Sequence, residues 1–420
     1  MRIVIVTQYY WPEDFAAGVY IPELAERLAV FGHRVSVITG PPNYPDGRIR
    51  RGYNRPFQTQ QRNGVRVIRG WFVPSPRTSG AVRRGLTAVS FAASALATGW
   101  AVRERPDVVL GFSPPIFMGA AASRLARRWR VPLLLNVKDL FTESILASGL
   151  ASPGPLLSGL AAMERAVYRR AQHIVTNAEG FAESIRRHVP DDRVSIVPDW
   201  ADGDFIRPAP RATAWREESG LRDSFVVLYS GSLGYSSDLE TLLDATAQLQ
   251  DLPDLHIVIV GEGIKLISLR EKATSLGLTN VSFFPLQPRE RLPEIFATAD
   301  LTVVTLSAAG GRVSTQGKLY SLLAAGRAVL AIVPADNDAA TIITRGGCGW
   351  VVDPGDSAAT ADAIRAACAD RERLAERGRL ARAQFDAEFS LDMCARRFEA
   401  YLTALVPTLT PGAPLAHPTS

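Results

Sequence analysis

The sequence predicts an α/β protein made of two doubly wound parallel-sheet domains, and three observations carry that prediction. Apolar strand-like runs alternate with helix-like stretches, the pattern of a parallel sheet covered by helices. The chain has 420 residues, more than one hydrophobic core usually serves. The alternation also restarts after the segment PDWADGDFIRPAP, where Pro, Gly and Asp crowd together as in an interdomain linker.

In the first half the elements read in order as RIVIVTQYY, the helix PELAERLAVFG, the strand HRVSVITG, an uncharged helix, then PDVVLGF, MGAAASRLARRW and VPLLLNV. Short runs such as VVLGF have no polar face, as expected of strands buried on both sides. A long helix through Arg170, the strand HIVTNA, a helix and RVSIVPD complete this half. In the second half FVVLYSG, LHIVIVG, VSFFP, LTVVTL, AVLAIV and GWVV read as strands, separated by helices such as LETLLDATAQL and LPEIFATA. The expected domains are 1–203 and 204–387, with a returning helix at about 388–406. A Pro- and Ser-rich tail over 407–420 is expected to be disordered.

Apolar residues make up 47% of the chain and charged residues 21%, the balance of a globular protein. The net charge is +5, but arginines crowd the first half, from Arg48 to Arg69 and again at Arg83, Arg84, Arg124, Arg127, Arg128 and Arg130. Such a basic half suits phosphates or anionic lipid, or is a solvated surface. Nucleic acid is excluded because no recognition motif accompanies the charge. Three cysteines, Cys348, Cys368 and Cys394, lack zinc or disulfide spacing, and the chain opens on a strand rather than a secretory leader. Both features lead us to expect a cytoplasmic protein. The uncharged stretch 85–102 is rich in Ala, Ser, Thr and Gly, which favours a buried or interfacial helix over a membrane span.

Three segments carry candidate chemistry. In YSGSLGYSSDLETLL an apolar strand meets a glycine-rich turn expected to open a helix, where amides hold an anion. Gly231 and Gly234 would admit a phosphate closely and Ser232 would add a hydroxyl, although a plain tight turn fits equally well. A second turn, VIVGEG, follows the next strand; neither turn has the dinucleotide fingerprint, so NAD is disfavoured. Third, GKLYSLLAAGRAVLAIV places Lys318 near a helix start, one of only four lysines at 138, 265, 272 and 318. It offers a compact charge for a diphosphate, or is a surface lysine. The string Asp336–Asn337–Asp338 fits a metal-binding pattern but reads as a helix cap, and His33, His173, His188 and His256 read as structural, so no metal site is expected.

Taken in order, TQYYWPE with Gly18, ELAERLAVFGHRVSVITG, SGSLG, VGEG and GKLYSLLAAGRAVLA resemble family-4 glycosyltransferases of the colanic-acid and O-antigen exopolysaccharide type, over roughly residues 1–405. The resemblance implies the GT-B fold: two Rossmann-like domains facing a cleft, with the last helix crossing back to the first domain. It implies a UDP- or GDP-sugar as donor substrate, no cofactor, and retaining transfer to a glycan or polyprenyl-linked acceptor at the inner membrane face. On the donor side it points to Gly18, Gly231, Ser232, Leu233, Gly234, Gly261, Glu262, Phe284, Pro285, Lys318 and Leu319. Lys318 would be catalytic, with Asp139 and Glu143 of VKDLFTES on the acceptor side; as residues, those two carboxylates also suit an ordinary helix start. One departure stands out: the usual pair of glutamates is replaced by Val313 and Ser321. A nucleotide-sugar epimerase of the same architecture and a noncatalytic nucleotide-sugar-binding partner stay open as alternatives. Oligomeric state is not legible.

Overall fold

Eight strands form the first sheet: β1 (Arg2–Val6), β2 (Arg34–Thr39), β3 (Phe57–Arg62), β4 (Val65–Gly70), β5 (Val108–Ser113), β6 (Leu133–Val137), β7 (His173–Thr176) and β8 (Val194–Ile196). The structure is a computed structural model that describes residues 1–13, 16–76, 78–147, 154–308 and 317–406. The strand order is β3-β4-β2-β1-β5-β6-β7-β8. All neighbours are parallel except β3 and β4, an antiparallel hairpin. The hairpin was not expected. Its turn is Asn63–Gly64, with φ of 45° and 80°, the left-handed pair that matches strand twist.

The second sheet has six parallel strands: β9 (Phe225–Ser230), β10 (Leu255–Val260), β11 (Val281–Phe284), β12 (Leu301–Thr305), β13 (Ala328–Ile332) and β14 (Gly349–Val352), in the order β11-β10-β9-β12-β13-β14. These are the six strands expected of this half. Along β9 successive residues serve opposite cores: Val226 and Leu228 on one face, Phe225, Val227 and Tyr229 on the other. Strands are added outward from β9 first toward β11 and then, from β12, toward β14, so β9 and β12 flank the switch point, where doubly wound sheets bind ligands at their carboxyl ends.

The chain divides into two compact units, Met1–Pro198 together with the chain from Cys394, and Asp199–Met393. The first division falls five residues before the expected 203/204 boundary. Ala201 is the reason: its N–H donates to Phe389 O at 3.3 Å, it bridges Ser390, and it is buried in the second unit's core. The last helix, Leu391–Leu405, belongs from Cys394 onward to the first unit. There Glu399 pairs with His33 at 2.8 Å and Tyr401 stacks on His173 with ring centroids 4.7 Å apart. The tail over 407–420 and Val313 lie outside the described residues.

At the opposite end of the second sheet Asp300 ties several elements together. Its carboxylate accepts from Val226 N at 2.9 Å and pairs with Arg211 at 2.8 Å, Arg371 at 3.2 Å and the buried Arg216 at 3.6 Å.

Candidate functional site

The carboxyl ends of β9, β10 and β11 are layered so tightly that side chains are excluded from the contact. Gly231 has φ +152° and donates to Val260 O at 2.9 Å; Gly261 has φ +157° and donates to Phe284 O at 3.0 Å. A Cβ on Gly261 would stand 1.9 Å from Gly231 O, and one on Gly263 would stand 2.4 Å from Leu233 O. Glycine is therefore required at 261 and 263 by backbone packing itself.

Across the switch point, the helix Gly317–Ala324 follows β12 and brings Lys318 to this turn. A Cβ on Gly231 would lie 2.6 Å from Lys318 Nζ. The ammonium donates to Tyr229 Oη at 2.8 Å, and Tyr229 Oη donates in turn to Ser232 O at 2.7 Å. The residue keeps part of its surface in solvent, yet its amine is packed among protein atoms, and burial pushes its pKa down to about 7. No carboxylate among the described residues pairs with it. Lys265 and Lys272, by contrast, are held by Glu240 and Asp244 at 2.9 and 2.7 Å.

The donors left over at this place are few and specific. Gly231 and Leu233 spend their N–H groups on Val260 O and Glu262 O, so the turn presents only alternate amides. Those of Ser232 and Gly234 have no partner among the described residues. With the Ser232 hydroxyl, the ammonium and the first turn of the Gly317–Ala324 helix, they make an anion-seeking surface. Leu233 and Leu319 are buried, so neither can offer a ligand more than backbone. Glu262 and Pro285 are exposed, and Phe284 packs edge-on against Trp215 at 5.0 Å.

One expectation about the turn needs correction. The helix does not open at Gly231: it is Leu239–Ala247, separated by a turn in which Ser237 N donates to Gly234 O and capped by Asp238, which accepts from Thr241 N. The Asp238 carboxylate therefore already occupies that helix start. Around Gly234 the protein itself leaves room, since a Cβ there meets only Ser232 Oγ at 3.6 Å. Asp238 N donates to Thr305 Oγ1 at 2.8 Å, fastening this turn to the end of β12.

The first unit holds the other expected residues. Gly18 lies in the helix Ala16–Val30, where a Cβ would come within 2.4 Å of Glu13 O. Asp139 follows β6 and accepts from Ser144 Oγ at 2.5 Å, and Glu143 is exposed in the first turn of the helix Phe141–Ala147. The cap of that helix is Glu164, which the sequence did not mark: it accepts from Phe141 N at 3.0 Å, Thr142 Oγ1 and Tyr168 Oη. Glu13 is a second unmarked carboxylate. It is buried, it accepts from Asn43 N and Tyr44 N at 2.7 and 2.9 Å, and burial outweighs those bonds to raise its pKa. Asn337 caps the helix Asp338–Gly346 by accepting from Ala339 N at 2.9 Å, as expected of a cap. His33, His173 and His256 bond to Glu399, Ser195 and Ser282.

Fold and turn geometry place the chain among doubly wound α/β proteins that take ligands at strand carboxyl ends. It belongs to the glycosyltransferases: residues 15–200 match the glycosyl transferase 4-like domain and residues 212–384 match glycosyl transferases group 1. It is 30% identical over 337 residues to WcaI of Escherichia coli, described as a colanic acid biosynthesis glycosyl transferase, spanning 78% of this chain and 82% of that one. Its fold is GT-B. HepE of Anabaena, solved with UDP, superposes with a TM-score of 0.72 at 17% identity over 96% of this chain and all of that one. Sucrose-phosphate synthase of Thermosynechococcus elongatus gives 0.72 at 17% identity over 96% and 98%.

Proposed function

We propose that this glycosyltransferase moves a sugar from a UDP- or GDP-sugar to a glycan or polyprenyl-linked glycan in cell-surface polysaccharide biosynthesis, with retention at the anomeric carbon and without a metal. It would work in the cytoplasm, in peripheral contact with the anionic inner membrane face. The observation that carries the reading is the Lys318 ammonium against the Gly231 turn, bonded to Tyr229 and without a carboxylate partner among the described residues, with the Ser232 and Gly234 amides, likewise without a partner among the described residues, beside it. Support also comes from HepE, a protein of like fold solved with UDP and with UDP-glucose, and from the colanic acid role in the name of WcaI.

In this reading the donor diphosphate lies over the turn and meets Lys318, whose charge the arriving anion favours. As the sugar–phosphate bond breaks, negative charge grows on the leaving diphosphate. The ammonium and preset amides stabilise that charge more than they do the bound donor, which is how they lower the barrier. Gly231, Gly261 and Gly263 keep the surface flat. Phe284 and Pro285 border the base, Gly18 faces the phosphates, and Asp139 and Glu143 serve the acceptor.

The test is to incubate the purified chain with labelled UDP- and GDP-sugars, with and without membrane lipid extract and with and without EDTA. Acceptor-dependent release of nucleotide, insensitive to EDTA, with an α- or β-product matching the donor, is the expected result. Isomerised donor without release would establish an epimerase, and binding without turnover a noncatalytic partner.

A further inference from the structure

The helix Ala81–Thr98 packs one face into the first unit: Thr87, Ala88, Phe91, Ala95 and Thr98 are buried, and Phe91 meets Phe72 edge-on at 5.7 Å. Its outward face is the unusual one. Val82, Leu86 and Val89 are 89%, 53% and 49% exposed, and Ala93 and Ala97 continue the same stripe at helical spacing. Just past the helix end Trp100 is 75% exposed. An ordinary surface helix turns charged or polar groups outward; this stripe has none.

The rim of the stripe is cationic. Residues 81–130 hold eight arginines and two acids, and neither this helix nor its neighbour Ile116–Trp129 contains an Asp or Glu. Arg83, Arg84, Arg103, Arg124 and Arg127 are exposed and have no partner among the described residues. Arg128 lies 3.3 Å from the Trp100 ring centroid, holding a cation and an amphipathic ring side by side at the end of the stripe. An apolar strip edged by unpaired cations and an aromatic anchor is the physics of a helix lying in a lipid interface.

We infer that the outward face of the helix Ala81–Thr98 docks the first unit onto an anionic bilayer surface, the stripe entering the headgroup boundary and the flanking arginines binding lipid phosphates. This gives the proposed membrane contact a location, and it rests on that reading only in assigning the membrane a part in the reaction. No helix among the described residues is long and apolar enough to cross a membrane, so the contact is superficial. A second copy of the chain fits the face poorly, because a two-fold contact centred on it would set arginines against arginines.

The direct experiment sediments the full chain with vesicles containing phosphatidylglycerol and with vesicles of phosphatidylcholine alone. The expected result is binding to the anionic vesicles that weakens with salt and falls about tenfold or more in the L86E/V89E and R124Q/R127Q variants. Because these side chains are exposed, the variants keep the wild-type circular dichroism and melting temperature. Absent binding, equal binding to both vesicle types, or undiminished binding by the variants overturns the inference, as does a wild-type dimer that L86E/V89E converts to a monomer. Titration with UDP and GDP on the same samples separates the two proposals. Retained nucleotide binding without vesicle binding sinks only this one, and vesicle binding without nucleotide binding sinks only the functional reading.

Discussion

The ammonium of Lys318 stands 4.0 Å from the ring centroid of Tyr229 and donates to its hydroxyl at 2.8 Å, joining the first helical turn after β12 to β9, the strand that ends just before Gly231. Tyr229 therefore both covers the cation with its ring and fixes it through its hydroxyl. Tyr229→Phe keeps the ring and loses the hydroxyl's bonds to Lys318 and Ser232 O. It should weaken nucleoside-diphosphate binding severalfold, by about 1 kcal/mol, with a comparable loss of stability. Calorimetric titration and a melting curve check both, and wild-type affinity in this variant would detach Tyr229 from the site.

Replacing the two glycines of the turn should give opposite outcomes for stability. Gly231→Ala sets a methyl against Lys318 Nζ at a positive φ, so both donor affinity and melting temperature should fall, the latter by a few degrees. Gly234→Ala has room within the protein, so stability should hold or rise slightly. Its donor affinity should still drop, because the methyl occupies the surface where the diphosphate lies. A Gly234→Ala protein with full affinity would move the diphosphate away from that residue.

Proton linkage supplies an independent handle. With the Lys318 pKa lowered to about 7 in the empty site, diphosphate affinity should fall by up to about tenfold per pH unit above neutrality. Stability should respond in the other direction. Between about 7 and the ordinary lysine value the unfolded chain binds the extra proton, so the free protein gains stability as pH rises through that window. Lys318→Met should abolish both slopes, and a pH-independent wild-type affinity from 6.5 to about 9 would contradict the assignment.

Asp300 predicts a purely structural effect. Removing its carboxylate in Asp300→Ala leaves Arg216, 2% exposed at its side chain, without its anionic neighbour and Val226 N without its acceptor. A loss of about 3 kcal/mol or more in denaturant unfolding is expected, with nucleotide affinity little changed in the folded fraction. A loss under about 1 kcal/mol would show that the arginines do not depend on it.

The second sheet was legible because each of its strands is a short apolar run closed by Gly, Pro or a polar turn. The hairpin β3–β4 was overlooked for the converse reason. FQTQQR is polar with alternate residues exposed, so it shows little hydrophobic contrast, and only Asn63–Gly64 announced it. At the site, Lys318 stood out as a lysine in an arginine-rich chain. Tyr229 did not, because in an apolar strand it reads as core, and its partner lies 89 residues away. Helix onset after Gly231 was misplaced because the cap, Asp238, and its tie to Thr305 depend on the neighbouring strand. Glu13 and Glu164 carried no local pattern; their partners arrive only through folding.

The claim on which the rest depends is that the Gly231 turn and Lys318 form one diphosphate pocket. It is tested most directly by titrating wild-type and Lys318→Ala proteins with UDP and UMP, and with GDP and GMP, at pH 6.5. Wild type should prefer the diphosphate of its own base by about tenfold or more, and Lys318→Ala should bind the diphosphate and monophosphate nearly alike. A Lys318→Ala protein that keeps the full diphosphate preference would contradict the account.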